Sequence, residues 1–196
     1  MSHRPTLITA RLVLRTFAPE DAQQVQRLAG AREVAATTAT IPHPYPDGAA
    51  EAWIARQAAA WEEGTEATFA VVRRSGGLLV GGMGLRIARE HARAELGYWI
   101  GVPHWGRGYA TEAAAAVLRY GFEELGLRRI HACHYGNNPA SGRVLEKIGM
   151  SREGHLRAHI LKWGEPLDVE EYAILAGEWR LRIPGPAAAF ESGEPA

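Results

Sequence analysis

Apolar and polar residues alternate from Thr6 to Phe17, where Leu12 and Leu14 are set among Arg11, Val13 and Arg15, and this period of two predicts an opening strand. Pro19-Glu20-Asp21 then starts a helix through about Ala29, because proline is tolerated at the first helical position. The run Ile41-Pro-His-Pro-Tyr-Pro46 excludes a helix interior: its prolines fix φ and remove backbone donors, so a stiff loop is expected. It leads into an alanine-rich helix that sets Trp53, Ile54, Gln57 and Trp61 on one side, with both tryptophans read as core anchors.

Three strands are predicted next, Thr68 to Arg73, Leu78 to Ile87 and Ala92 to Val102, joined by turn signals at Ser75-Gly-Gly77 and Arg89-Glu-His-Ala-Arg93. After Gly106-Arg-Gly108, Ala110, Ala113, Val117, Leu118 and Gly121 keep helical spacing, and Gly126 is placed to stop that helix. The sheet resumes at Arg129 to Tyr135. Asn138-Pro139 marks another helix start, with Val144, Leu145 and Ile148 facing inward and Gly149 ending it. Two strands, about Ser151 to Trp163 and Pro166 to Ala176, flank a turn at Trp163-Gly164-Glu165. No segment repeats, so the reading is one domain over residues 1–183 and a Pro-, Ala-, Gly- and Glu-rich tail, 184–196, expected to be disordered.

Composition narrows the partners. Lys plus Arg and Asp plus Glu are equal at 22 each, so no charge excess points to nucleic acid or to a membrane surface. The first residues show no signal-peptide core and no later run is long and apolar enough for a membrane span, which predicts a cytoplasmic protein. The single cysteine, Cys133, allows no intrachain disulfide and no cysteine-cluster metal site, and is expected in the core. His131 and His134, three apart on a strand, should point to opposite faces, so no metal is implied.

The stretch Val102-Pro-His-Trp-Gly-Arg-Gly-Tyr-Ala-Thr-Glu112 carries the chemistry. A strand ends, two glycines strip side chains from the backbone and a helix begins, which presents free N–H groups at the positive helix end, a site suited to a diphosphate. The loop lacks the Gly-Lys-Ser/Thr ending of a Walker A motif and the third glycine of a dinucleotide fingerprint. A tight strand-to-helix turn alone would also account for the glycines.

What surrounds the loop decides the matter. Glu95-Leu-Gly-Tyr-Trp, Trp105-Gly-Arg-Gly-Tyr-Ala-Thr-Glu-Ala113, Asn138-Pro-Ala-Ser141 and Glu146-Lys-Ile-Gly-Met150, with the opening Leu7-Ile-Thr-Ala-Arg-Leu-Val-Leu-Arg15, resemble the GNAT superfamily of N-acetyltransferases, most of all its RimJ/RimL-type ribosomal-protein N-terminal acetyltransferases. The resemblance runs from about Thr6 to Ala176. It implies an α/β fold with a mixed, mostly antiparallel sheet of six or seven strands, splayed in the middle and flanked by about four helices. It further implies acetyl-CoA as cosubstrate, with its diphosphate on the amides of Gly106, Arg107, Gly108, Tyr109, Ala110 and Thr111. Its pantetheine amides would pair with Ile100 and Gly101 like an added strand. Arg107 and Arg143 are candidates to add charge near the phosphates, and Asn138 to bond the pantetheine arm while capping its helix. A homodimer is compatible with the resemblance.

Two catalytic residues follow. Glu95 shares a strand face with Gly97 and Trp99 beside the expected gap and is the first candidate for general base. Relatives of this type sometimes place a glutamate where Ile160 stands, so the base stays open between Glu95, His159 and water alone. Ser141 is expected to protonate or hydrogen-bond the leaving thiolate; many superfamily members use a helix tyrosine, at a position matched here by Leu145. Direct attack by a primary amine in a ternary complex is favoured over a covalent Cys133 intermediate. The expected acceptor is a protein N-terminal α-amine, already partly neutral at pH 7. The alternatives are a small amine such as a polyamine, amino acid or antibiotic, or a non-catalytic acyl-CoA-binding module.

Overall fold

A computed structural model describes residues 4–182 and 190–191. Thr6–Ile8 (β1) and Leu12–Arg15 (β2) pair antiparallel, Leu7 against Leu14. The expected single strand from Thr6 to Phe17 is therefore two. The Thr9 hydroxyl accepts the Leu12 N–H at 3.0 Å and donates to the Glu112 carboxylate at 2.6 Å, which holds a turn that the apolar pattern does not mark.

A 3-10 turn at Pro19–Asp21 opens Ala22–Ala29 (α1), followed by the short Arg32–Ala35 (α2) and by Ala49–Glu63 (α3). Glu66–Arg73 (β3), Leu79–Ala88 (β4) and Arg93–Ile100 (β5) form the meander, and Tyr109–Glu123 (α4) leads to Arg129–Tyr135 (β6). Pro139–Lys147 (α5) precedes the long hairpin Ser151–Lys162 (β7) and Glu165–Leu175 (β8), then Ala176–Arg182 (α6). Phe190–Glu191 (β9) pairs with the β1 edge, so two residues of the tail expected to be disordered add a strand; its other residues lie outside those described.

Among the described residues the sheet has nine strands in the order β7-β8-β6-β5-β4-β3-β2-β1-β9, and β5 with β6 is its one parallel pair. The count exceeds six or seven because the first strand folds back and β9 is added at the edge. Among the described residues the four helices of eight residues or more, α1, α3, α4 and α5, match the expected number.

Each face has its own core. On one, Ala113, Val117 and Leu118 of α4 and Leu145 of α5 pack on Leu85, Leu96 and Ile130 of the sheet. On the other, Val25 and Leu28 of α1 and Ile54 of α3 cover Val72, Leu79 and Trp99. Fully burying a side chain of this size stabilises by about 1.5–3 kcal/mol, so both layers fix the strands that frame the site. Trp61 is fully buried against Phe69 and Tyr120, and Trp53 meets Phe17 edge-on at 4.8 Å, so both tryptophans are the anchors expected. The second layer reaches only as far as β5. Cys133 of β6 therefore lies on an uncovered face and is exposed, contrary to the expected core position.

Candidate active site

The parallel pair is short. β5 and β6 match only at Arg93 with Arg129, Ala94 with Ile130 and Glu95 with His131. Beyond that β5 stays with β4 as far as Ile100 opposite Gly81, while β6 stays with β8 as far as Tyr135 opposite Val169. Two strands held by different neighbours part, and a V opens between them.

The free edge of β5 follows from register. The Gly101 N–H donates to the Val80 carbonyl at 2.9 Å and the Gly101 carbonyl accepts from the His104 N–H at 2.8 Å. The Gly101 N–H is therefore taken by β4 and is not the free donor expected for pantetheine, and its carbonyl already accepts one bond within the protein. Alternation along an antiparallel strand turns the next residues back, Ile100 and Tyr98, toward the V. The Ile100 carbonyl accepts the Trp105 indole N–H, which leaves the Ile100 N–H as the donor facing the gap.

At the wide end of the V, a 3-10 turn at Val102–His104 enters the glycine loop. Gly106 (φ 71°) and Gly108 (φ 77°) hold left-handed conformations that a side chain would strain, and α4 starts directly after them. The first intrahelical bond runs from the Glu112 N–H to the Gly108 carbonyl, so the N–H groups of Gly108, Tyr109, Ala110 and Thr111 precede the helical ladder. These are four of the six residues expected to hold the diphosphate. Arg107 is exposed on the loop, and Arg143 is exposed on α5. His104 is buried under the turn; burial, with the charges of Arg107, Arg73 and Arg27, holds its imidazole below the ordinary range.

On the other limb, Asn138 caps α5: its Oδ1 accepts the Ser141 N–H at 3.2 Å. Ser141 turns its hydroxyl across the V to Tyr98, with Oγ and the phenol oxygen 2.6 Å apart. Burial pushes the Tyr98 phenol up to about 12, outweighing the Ser141 bond, so it remains protonated at neutral pH. Tyr98 was absent from the expected site. Strand parity contains the signal, since Tyr98 must face opposite to Glu95 and Trp99, toward the layer that carries Ser141.

Glu95 is not brought to Ser141. It stands at the last paired position, on the face that β6 and β8 leave open, and lies 3.7 Å from Arg86 with about a third of its side chain exposed. His159 is exposed where β7 breaks register between Leu156 and Ile160, and His134 is buried against Gly142, its Nδ1 at the Tyr135 carbonyl. Leu145 is fully buried in the core, so that position offers no hydroxyl.

The wide end of the V is bridged. Leu28 of α1 packs against Gly101 on the β5 side, and on the β6 side the β7–β8 hairpin runs on past Tyr135 to Trp163. The two sides meet where the Lys162 Nζ donates to the Thr38 carbonyl at 2.7 Å and the His43 ring lies 5.9 Å from Trp163. Arg32 and Lys162 place their cations 5.1 and 5.3 Å from the centre of the Trp163 ring.

A strand edge with a free N–H, ending at a helix N-terminus whose N–H groups precede the ladder, has the form that a coenzyme A thioester would need, which is the chemistry of an acyltransferase. The chain belongs to the GNAT family: the model described as "Acetyltransferase (GNAT) domain" matches residues 11–151. It is similar to the uncharacterized N-acetyltransferase YoaA of Bacillus subtilis (strain 168), at 35% identity over 172 residues, 87% of this chain and 97% of that protein. Among solved structures it resembles a GNAT-family acetyltransferase from Bacillus anthracis, with a TM-score of 0.79 and 29% identity over 88% of this chain and 99% of that one. The fold is also that of the Vibrio cholerae spermidine N-acetyltransferase in complex with CoA and spermine (TM-score 0.76, 24% identity, 88% and 99% covered). The protein is an acyltransferase of this family, with acetyl-CoA as its cosubstrate.

Proposed function

We propose that the acceptor is the α-amine of a peptide or protein N-terminus. One observation carries this choice over a polyamine: the Trp163 ring, at the bridge across the wide end of the V, already bears the protein's own cations, Arg32 and Lys162. A polycationic acceptor would meet like charges there, whereas a peptide presents one amine and a largely neutral backbone.

The chemistry matches. An α-amine with a pKa near 8 needs little help to become neutral, so a partly exposed carboxylate such as Glu95, acting through water, suffices. The amine nitrogen attacks the thioester carbonyl, the C–N bond forms and the C–S bond breaks. The amine proton leaves through water toward Glu95, and the departing thiolate takes a hydrogen bond from Ser141, whose oxygen is itself bonded to Tyr98, and draws its proton through Ser141 from water, so that the serine ends neutral. The diphosphate rests on the amides from Gly106 to Thr111, with Ile100 and Asn138 along the pantetheine arm and Arg107 and Arg143 near the phosphates.

The test is a panel of free-N-terminus peptides, amino acids, spermidine and spermine, assayed for coenzyme A release. Peptides should exceed the polyamines in kcat/KM by at least about tenfold. A polyamine as best substrate would overturn the assignment.

A further inference from the structure

Glu112 occupies the first turn of α4, an unexpected place for a carboxylate if a dianionic diphosphate sits on that helix end. Its surroundings resolve the conflict. Oε1 accepts the Thr9 hydroxyl at 2.6 Å and the Arg11 N–H at 2.8 Å, and Oε2 accepts Arg11 Nε at 2.7 Å. Burial pushes the carboxyl up, but these bonds outweigh it and hold it below the usual carboxylate range. The same guanidinium donates through Nη1 to the Arg107 carbonyl at 3.0 Å, in the middle of the glycine loop, and lies over the Tyr109 ring at 5.0 Å. Its remaining nitrogen, Nη2, faces Gly108, 3.4 Å from where a Cβ would stand. The β1–β2 turn thus delivers a cation to the loop and fastens it at three points.

We propose that Arg11 is a diphosphate-binding residue for the cosubstrate, contributed from outside the glycine loop, with Glu112 and Thr9 as the positioning residues that aim it. This rests on the reading that the coenzyme A diphosphate meets the amides at the start of α4. The Arg11–Glu112 pair is neutral in sum, so what Glu112 adds is orientation: it holds a planar fork so that one arm shapes the loop and Nη2 stays beside Gly108. Lysine, a single point charge, cannot serve both ends.

The test compares acetyl-CoA with S-acetylpantetheine, which keeps the thioester and both amides but lacks the diphosphate. Arg11→Ala should lower kcat/KM for acetyl-CoA by about tenfold or more through KM, as expected for loss of a charged hydrogen bond, and leave the S-acetylpantetheine rate as it was. That second rate is also the control for folding. Arg11→Lys should recover only part of the loss, and Glu112→Gln should show a smaller fall in the same direction. A proportional fall with both thioesters would mean a merely structural residue, and no fall with either would remove Arg11 from the site. A wild-type protein that does not prefer acetyl-CoA to S-acetylpantetheine would overturn the loop assignment itself, and the proposal with it.

Discussion

The Tyr98 and Ser141 hydroxyls meet at 2.6 Å, one from β5 and one from the first turn of the helix that follows β6. They bridge the two limbs of the V, where the proposed reading puts the thioester sulfur. Either oxygen can be the donor; with the phenol, whose pKa burial pushes up to about 12, donating to Ser141, the serine keeps its own hydrogen free for the sulfur. Ser141→Ala is expected to lower kcat by about 100-fold and Tyr98→Phe by about tenfold, with the acetyl-CoA KM unchanged in both. The double variant should be no slower than Ser141→Ala alone, because Tyr98 acts through it. The loss should shrink with a thioester of a more acidic thiol, whose sulfur leaves without help. Additive losses in the double variant would separate the two residues.

Glu95 and Arg86 allow a sharper separation of chemistry from structure. Their ion pair is partly exposed and 3.7 Å long, so breaking it from either side should change stability by less than about 1 kcal/mol. If Glu95 receives the amine proton through water, Glu95→Gln lowers kcat by about tenfold or more while Arg86→Ala leaves it nearly intact. Steady-state rates beside thermal melts read both quantities. Equal effects of the two substitutions on the rate would assign Glu95 to the ion pair alone, with water as the base.

The elements were legible wherever one local period dominates. The α4 alanine stripe, the Asn138-Pro139 start and the hairpin turn at Trp163-Gly164 each carry their signal within a few residues, and each appears in the structure. The misses share a cause, namely dependence on a distant partner. The break after Ile8 rests on a Thr9 bond to a carboxylate 103 residues away. The backbone direction of Gly101 depends on its register with Val80, and Cys133 is exposed because α1 to α3 stop short of β6. Tyr98 differs from these, since strand parity alone placed it beside Ser141.

Gly108 should be among the least replaceable positions of the loop. Its φ of 77° strains any residue with a Cβ by about 1–2 kcal/mol, and that Cβ would stand 3.4 Å from Arg11 Nη2. Relief by rotating the backbone would turn the neighbouring amides away from the phosphates. Gly108→Ala is therefore expected to weaken acetyl-CoA binding by about tenfold in calorimetry, with acceptor KM little changed. Gly106→Ala carries the same strain with open space around it, so its effect should be the smaller one. Equal effects of the two substitutions would show that backbone strain, and not the approach to Arg11, governs the loop.

Stability against acid should centre on Asp21, a buried carboxylate where α1 begins. It accepts from both terminal nitrogens of Arg15, at 2.7 and 2.8 Å, and from the Ala18 N–H at 2.8 Å. Burial raises its pKa, but the Arg15 bonds, the Ala18 N–H and the Arg15 charge outweigh that and bring it below the ordinary aspartate value. A group depressed in the folded state contributes stability that is fully present above its unfolded pKa, near 3.9, and is lost as pH falls through the lower folded value. Asp21→Asn should destabilise by about 2 kcal/mol at pH 7, less than a fully buried pair, because Arg15 is partly exposed. Urea titrations of both proteins from pH 7 to pH 3 should show the difference holding to about pH 4.5 and narrowing below it. A difference that stays constant through that range would mean that the aspartate charge contributes nothing and that the bonds alone hold the turn.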